Sequence, residues 1–154
     1  MVIPVKGRVY LSQPADDAVD MFKQGFVCSQ AVFAAFCEKC SLEKSFALRI
    51  GSGFGAGIAR KQEVCGAVTG AVMFLGLKYG KVRGNDTAAH EKAYDKVNVF
   101  CKRFIEKNKS IKCSELLGCS MAEAKEKKLF STLCREFIRN SAEILEEMLL
   151  EAED

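Results

Sequence analysis

Apolar residues recur along this chain at intervals of three and four, the spacing that lays them along one face of a helix. After Ser12 and Pro14, the positions Ala15, Ala18, Val19 and Phe22 follow this rule, with Asp16 and Asp17 in the first turn, where the helix dipole favours acids. Gly25 stops that helix. A second starts near Cys28 and Ser29 with Ala31, Val32, Ala35 and Phe36 as its buried face, and Ser41 is the expected cap of a short third helix carrying Leu42, Phe46 and Ile50 up to Gly51. The run Gly51-Ser52-Gly53-Phe54-Gly55-Ala56-Gly57 reads as a loop.

Cys65 to Leu77 is apolar all round and reads as the central buried helix. Gly66, Ala67, Gly70 and Ala71 give it a smooth face on which a neighbour, or a second copy of the chain, can pack closely. Such small-residue spacing also occurs in membrane dimers, but thirteen residues are too few to cross a bilayer. Asn85 or Asp86 caps a long helix with the stripe Ala93, Val97, Phe100, Cys101 and Phe104. Ser120 followed by Glu123 fits a capping box, and from Leu129 the positions Phe130, Leu133, Cys134, Phe137, Ile138, Ile144, Leu145, Met148 and Leu149 stay in helical register. No five-residue stretch alternates cleanly as a strand. The expected architecture is an all-α, single-domain bundle spanning residues 1–154, with about six or seven helices.

Composition changes the picture at the cysteines. The chain has 154 residues, 49% of them apolar, so a core can hold the fold without staples. Its eight cysteines amount to about 5%, short of the roughly 8–10% that marks a disulfide-framed secreted scaffold. No apolar run of signal-peptide length opens the sequence, and a reducing, cytoplasmic setting is the expectation. There, cysteine-rich chains use sulfur for metal or redox chemistry more than for permanent bridges. With 23 basic and 20 acidic residues interspersed, the net charge of +3 does not suit a nucleic-acid binder. The short basic stretches Lys78–Arg83 and Lys125–Lys128 read as solvated faces.

Position separates the cysteines. Cys101 lies in an amphipathic stripe and reads as core packing. Cys37 and Cys40 form a C-x-x-C at a helix end, which suits a redox pair or half a zinc site, but no second pair completes a zinc motif. Cys119 precedes the Ser120 cap and reads as exposed. Cys28 and Cys65 each stand at a helix start, where free backbone N–H groups and the dipole stabilise a thiolate. Cys113 lies in a connection between helices, and Cys134 on the inward stripe of the last helix. Gly51-Ser52-Gly53-Phe54-Gly55-Ala56 matches a dinucleotide pattern but follows a helix, which excludes the Rossmann reading. The only histidine, His90, sits in a polar helix start and reads as surface; Glu63 and Glu115, near cysteines, read as surface or capping carboxylates.

Gly25-Phe26-Val27-Cys28-Ser29-Gln30-Ala31-Val32, the glycine-rich loop leading into Cys65-Gly66-Ala67-Val68-Thr69-Gly70-Ala71, then Cys113 before Glu115-Leu116-Leu117-Gly118, and finally Cys134, together resemble the C_GCAxxG_C_C family of redox-active proteins. The resemblance covers nearly the whole chain. It implies a small helical protein whose family cysteines are Cys28, Cys65, Cys113 and Cys134, and a redox or iron-sulfur role, because a similar domain in a split-Soret type cytochrome carries an iron-sulfur cluster. These four are separated by 36, 47 and 20 intervening residues, so they act jointly only if helices converge. A cluster takes four thiolate ligands and is tuned by nearby backbone N–H groups, for which Gly53, Gly55, Gly57 and Gly66 are the candidates.

Three functions compete on these grounds. The first is an electron-transfer or redox-sensing protein holding a cluster, most simply [2Fe-2S], and serving an unidentified redox partner protein. The second is a thiol-disulfide protein that cycles Cys28 with Cys65, or Cys37 with Cys40. The third is a zinc-stabilised interaction module.

Overall fold

The computed structural model describes the backbone of residues 2–5 and 8–11 and the whole of residues 13–153; Ser12 lies outside the described residues. Two strands, β1 (Val2–Val5) and β2 (Arg8–Leu11), pair antiparallel with Val2 opposite Leu11. Four residues each is too short for alternation to announce them, although valine, isoleucine and tyrosine favour a pleated ribbon.

From Pro14 onward the described residues form an all-α domain of eight right-handed helices. They are α1 (Pro14–Lys23), α2 (Cys28–Phe36), α3 (Lys44–Gly51), α4 (Gly66–Tyr79), α5 (Thr87–Asn108), α6 (Cys113–Leu117), α7 (Met121–Glu126) and α8 (Leu133–Glu153). The helix unforeseen in the sequence is α6, whose five residues are too few to carry a periodic signature. Asp86 and Ser120 cap α5 and α7 as expected, accepting from the N–H groups of Ala89 (3.0 Å) and Glu123 (3.2 Å).

The core lies where α2 crosses α4, with α1, α5 and α8 packed around them. Phe36, Phe74, Phe100, Phe104, Leu75, Ile138, Ile144 and Leu145 are fully buried, each contributing about 1.5–3 kcal/mol. The Phe36 and Phe74 rings meet at 5.2 Å. A side-chain carbon at Gly70 would lie 2.7 Å from the Ser29 carbonyl and 3.0 Å from Val32 Cβ, so glycine sets how closely α2 approaches α4. The small-residue face Gly66, Ala67, Gly70 and Ala71 is therefore consumed inside the protomer, all four residues being buried, and does not present itself to a second copy. Two buried serines fasten the layers: Ser141 Oγ donates to the Ala67 carbonyl at 2.7 Å, and Ser29 Oγ to that of Gly51 at 2.7 Å.

Helix α3 departs from expectation. Its N-cap is Glu43, while Ser41 adopts a left-handed conformation after the 3-10 turn Cys37–Cys40. Phe46 and Ile50 are exposed. The side turned to the core carries Ala47 and Gly51, because a carbon at Gly51 would come within 3.2 Å of the Gln30 backbone and nothing larger fits there. Leu77, expected in an all-round buried helix, is 40% exposed near the end of α4.

Candidate functional site

Cys28 is the first residue of α2, Cys65 the N-cap of α4, Cys113 the first residue of α6 and Cys134 the second of α8. Four helices thus begin at or beside a cysteine, and all four cysteines line one cavity of about 620 Å³. Cys113 was read as lying in a connection; it opens a helix instead, for the same reason that α6 itself was not visible.

Two long-range devices bring these starts together. Residues 62–65 run antiparallel to 111–114: Val64 bridges Lys112, Cys65 N–H donates to the Ile111 carbonyl (2.8 Å), and Cys113 N–H donates to that of Glu63 (2.7 Å). With Ser114 N–H donating to the Gln62 carbonyl (3.1 Å) as a third rung, this ladder holds the segments that carry Cys65 and Cys113 side by side. On the other side, Ser29 Oγ holds the end of α3, and Gln30 both caps Val27 N–H (3.0 Å) and donates to the Leu48 carbonyl (2.9 Å). The residues directly after Cys28 therefore tie α2 to the glycine-rich segment.

That segment is not a plain loop. After the 3-10 turn Ser52–Phe54, five successive residues have left-handed backbone: Ala56 (φ 55°), Gly57 (64°), Ile58 (65°), Ala59 (48°) and Arg60 (70°). L-residues pay about 1–2 kcal/mol each for this conformation, and it is found as single residues rather than runs. Hydrogen bonds close it from Lys61 N–H to the Ile58 carbonyl (3.0 Å), from Gln62 to Ala56 (3.2 Å) and from Glu63 to Gly57 (2.9 Å). Gly57 has no substitute, since a side-chain carbon there would also meet Glu63 N at 2.5 Å. The turn aims the Ala56 N–H at the Cys28 sulfur, which also receives the N–H groups of Ser29 and Gly66; the Ala67 N–H faces Cys65.

Of the four glycines expected near the sulfurs, Gly57 and Gly66 line the cavity. Gly53 and Gly55 do not: Gly53 faces open space and Gly55 packs under Val27. Gly66 is the closest approach of all. A carbon built on it would lie 2.1 Å from Cys28 Sγ, so the sulfur rests on bare backbone.

Electrostatically the quartet is one unit. Burial, the leading cause, pushes every thiol up, Cys113 to about 11 and Cys134 to about 12. Cys28 charge adds to the rise at Cys65, Cys113 and Cys134, and Cys113 charge adds to it at Cys65 and Cys134. At Cys28 the surrounding N–H groups work against the burial, as the Ala67 N–H does at Cys65.

The remaining cysteines lie elsewhere. Cys37 is fully buried with its thiol donating to the Ala34 carbonyl (3.4 Å), and Cys40 and Cys101 are half-buried against the main core. Cys119, read as exposed, is half-buried beside Cys113 and Leu117, and its carbonyl accepts from the Gln62 side chain (2.8 Å). His90 packs its ring on Tyr94 at 4.3 Å, away from the cavity. Glu63 is exposed, and the Glu115 carboxylate accepts from Ser110. The sequence reading missed Arg60 and Lys125, which stand at the cavity, and the aromatic wall of Phe22, Phe26, Phe130 and Phe137. Helical spacing marked Phe22, Phe130 and Phe137 as apolar-face residues but not which void they surround, and Phe26 lay between two expected helices. Nothing local distinguished the two cations from solvated charges.

Fold and site together define a class: an all-α protein whose four helix-start cysteines share one cavity. The chain matches the family described as "Putative redox-active protein (C_GCAxxG_C_C)" over residues 26–148, and it belongs to that family. No curated protein and no solved structure matches it. No helix among the described residues is long and apolar enough to cross a membrane.

Proposed function

We propose that this member of the redox-active family holds an iron-sulfur cluster, in its simplest form [2Fe-2S], on Cys28, Cys65, Cys113 and Cys134, for electron transfer or redox sensing with a partner protein. The observation that carries the reading is the convergence of these four cysteines, from four separate helices, on a single cavity. The donor set suits the group. Four thiols are what a cluster requires, and backbone N–H groups at Cys28 and Cys65 are of the kind that tune a cluster through its sulfurs.

The thiols themselves favour a metal over exchange chemistry. Burial raises all four thiols above their ordinary value, helped by neighbouring sulfur charge at Cys65, Cys113 and Cys134, and a thiol held protonated is a poor nucleophile. The same charges that oppose thiolates in an empty site are offset when cationic iron displaces the protons. The positive ends of α2, α4 and α8 add a field favouring negative sulfur. Cys37 is sealed in the core, which leaves the C-x-x-C pair only the half-buried Cys40 thiol to attack with.

Zinc is the second reading, on the same donors. Among the described residues no three candidate ligands are gathered closely enough to clasp one ion, as a tetrahedral zinc site requires, whereas cluster ligands are shared between irons and need not meet at a point. When bound, a cluster supplies one-electron chemistry. The chain's part is to anchor it on rigid helix starts, direct N–H groups at its sulfurs and shield it with apolar walls.

Anaerobic purification, an absorption spectrum and assays of iron, acid-labile sulfide and zinc test this. Expected are visible sulfur-to-iron bands with matching iron and sulfide, abolished by Cys65→Ser in a variant that keeps its helical circular dichroism. A colourless protein without iron or sulfide after anaerobic reconstitution overturns it, and stoichiometric zinc in its place establishes the second reading.

A further inference from the structure

The cavity is larger and differently furnished than four metal-binding thiols demand. At about 620 Å³ it falls in the range of small-molecule sites, roughly 300–1,000 Å³. Beyond the sulfurs its wall is aromatic and aliphatic, with Phe22, Phe26, Phe130 and Phe137 lining it together with Leu116 and Met121. Its only charged lining residues among those described are Arg60 and Lys125, both cations and both exposed; no carboxylate lines it. An apolar chamber with two exposed cations at its lining has the complement of an amphipathic anion.

The backbone points the same way. Arg60 ends the left-handed turn that begins at Ala56 beside Cys28 Sγ, so one strained segment supplies an N–H at the sulfur and a cationic residue to the chamber's lining. Strain of this kind persists where the surroundings over-determine it and clusters at ligand sites.

We infer that the cavity binds a small organic anion with an aromatic body, the ring lodged among the phenylalanines and the acidic group held by Arg60 and Lys125, next to the cysteine quartet. This names the ligand class of the site proposed above and rests on that reading only for the neighbouring cluster. Aromatic walls favour offset or edge-on ring contacts. Arginine offers an oxyanion a planar, two-pronged donor and lysine a point charge.

The test is fluorescence titration of the full-length protein, with its iron and sulfide content measured, using 8-anilinonaphthalene-1-sulfonate and the neutral N-phenyl-1-naphthylamine, which has the same aromatic body without the charge. Saturable one-site binding of both dyes is expected. The double substitution Arg60→Gln with Lys125→Gln should weaken the sulfonate about three- to tenfold, as loss of two exposed charge contacts would. It should leave the neutral dye unchanged, and Phe130→Ala should weaken both. Absence of saturable binding to protein with native circular dichroism overturns the inference. So does a double variant that alters the reduction potential of the holoprotein while both dyes bind as before, since Arg60 and Lys125 would then be countercharges to the cluster alone. If no cluster forms, the function proposed above fails, while dye binding to the same sample still decides this one.

Discussion

Gly66→Ala is the sharpest perturbation of the site. The added carbon falls 2.1 Å from Cys28 Sγ and 3.0 Å from Ser29 N. Ordinary non-bonded separations are roughly 3.5–4 Å, so the sulfur must retreat by roughly 1.5 Å. It starts from a ring of backbone N–H groups that it cannot keep after such a shift. Overpacking of this kind costs about 1–3 kcal/mol, and alanine returns up to about 1 kcal/mol of helix propensity in α4. The net loss of about 0–3 kcal/mol lowers the melting temperature by roughly 12 °C at most in a chain of this length. The variant therefore folds with a displaced ligand. Iron and sulfide uptake should fall sharply, and in the apoprotein alkylation of Cys28, followed by mass spectrometry, should accelerate. Gly70→Ala is the control: its carbon strikes the Ser29 carbonyl at 2.7 Å, forcing α2 from α4 without touching a sulfur. It should melt lower than Gly66→Ala yet bind iron normally per folded molecule. A Gly66→Ala protein with wild-type iron, spectrum and Cys28 reactivity would refute the reasoning.

Three further outcomes follow from the same geometry. Ser29→Ala leaves the Gly51 carbonyl without its buried donor and should cost about 1–3 kcal/mol in urea denaturation, an unchanged midpoint arguing against the anchor. Ala59→Gly, at an exposed residue with φ 48° and ψ 47°, exchanges about 1–2 kcal/mol of left-handed strain for about 0.5–1 kcal/mol of glycine entropy; it should stabilise the protein slightly, and a lower midpoint would show the turn to be unstrained. Glu146 accepts from Ala15 N–H (3.0 Å) and ties α8 to α1, but burial, helped by Glu143 and Asp16, raises its carboxyl above the usual range. Its folded form holds a proton that the unfolded form releases, so the contribution is full below the unfolded pKa and is lost as pH rises through the folded one. Glu146→Gln should abolish that loss in thermal melts across the acidic range, and an unaltered pH profile would exclude the linkage.

Several helix boundaries were legible because they depend on neighbours in the chain, although α3 is capped at Glu43 and not Ser41, and the last helix starts at Leu133 after a 3-10 turn at Leu129–Ser131. The caps Asp86 and Ser120, the stop at Gly25 and the apolar stripes of α1, α5 and α8 are all local signals, and the structure has them where the residues indicate. Two of the four helix-start cysteines, Cys28 and Cys65, were visible in the same way. Phe46 and Ile50 were misplaced because periodicity locates a stripe without saying which stripe meets the core, and the tight seat of Gly51 on Gln30 turned α3 round.

The sequence by itself determined an all-α chain and its family, and singled out four cysteines as candidates. Only the tertiary structure decided that they share a cavity. Their meeting depends on the pairing of residues 62–65 with 111–114 and on Ser29 and Gln30 reaching across to α3, contacts between distant segments that no local pattern encodes. It decided as well that Ala56 to Arg60 would turn left-handed, since residues other than glycine do not announce a positive φ, and this conformation is imposed from outside by the hydrogen bonds and packing that close around it.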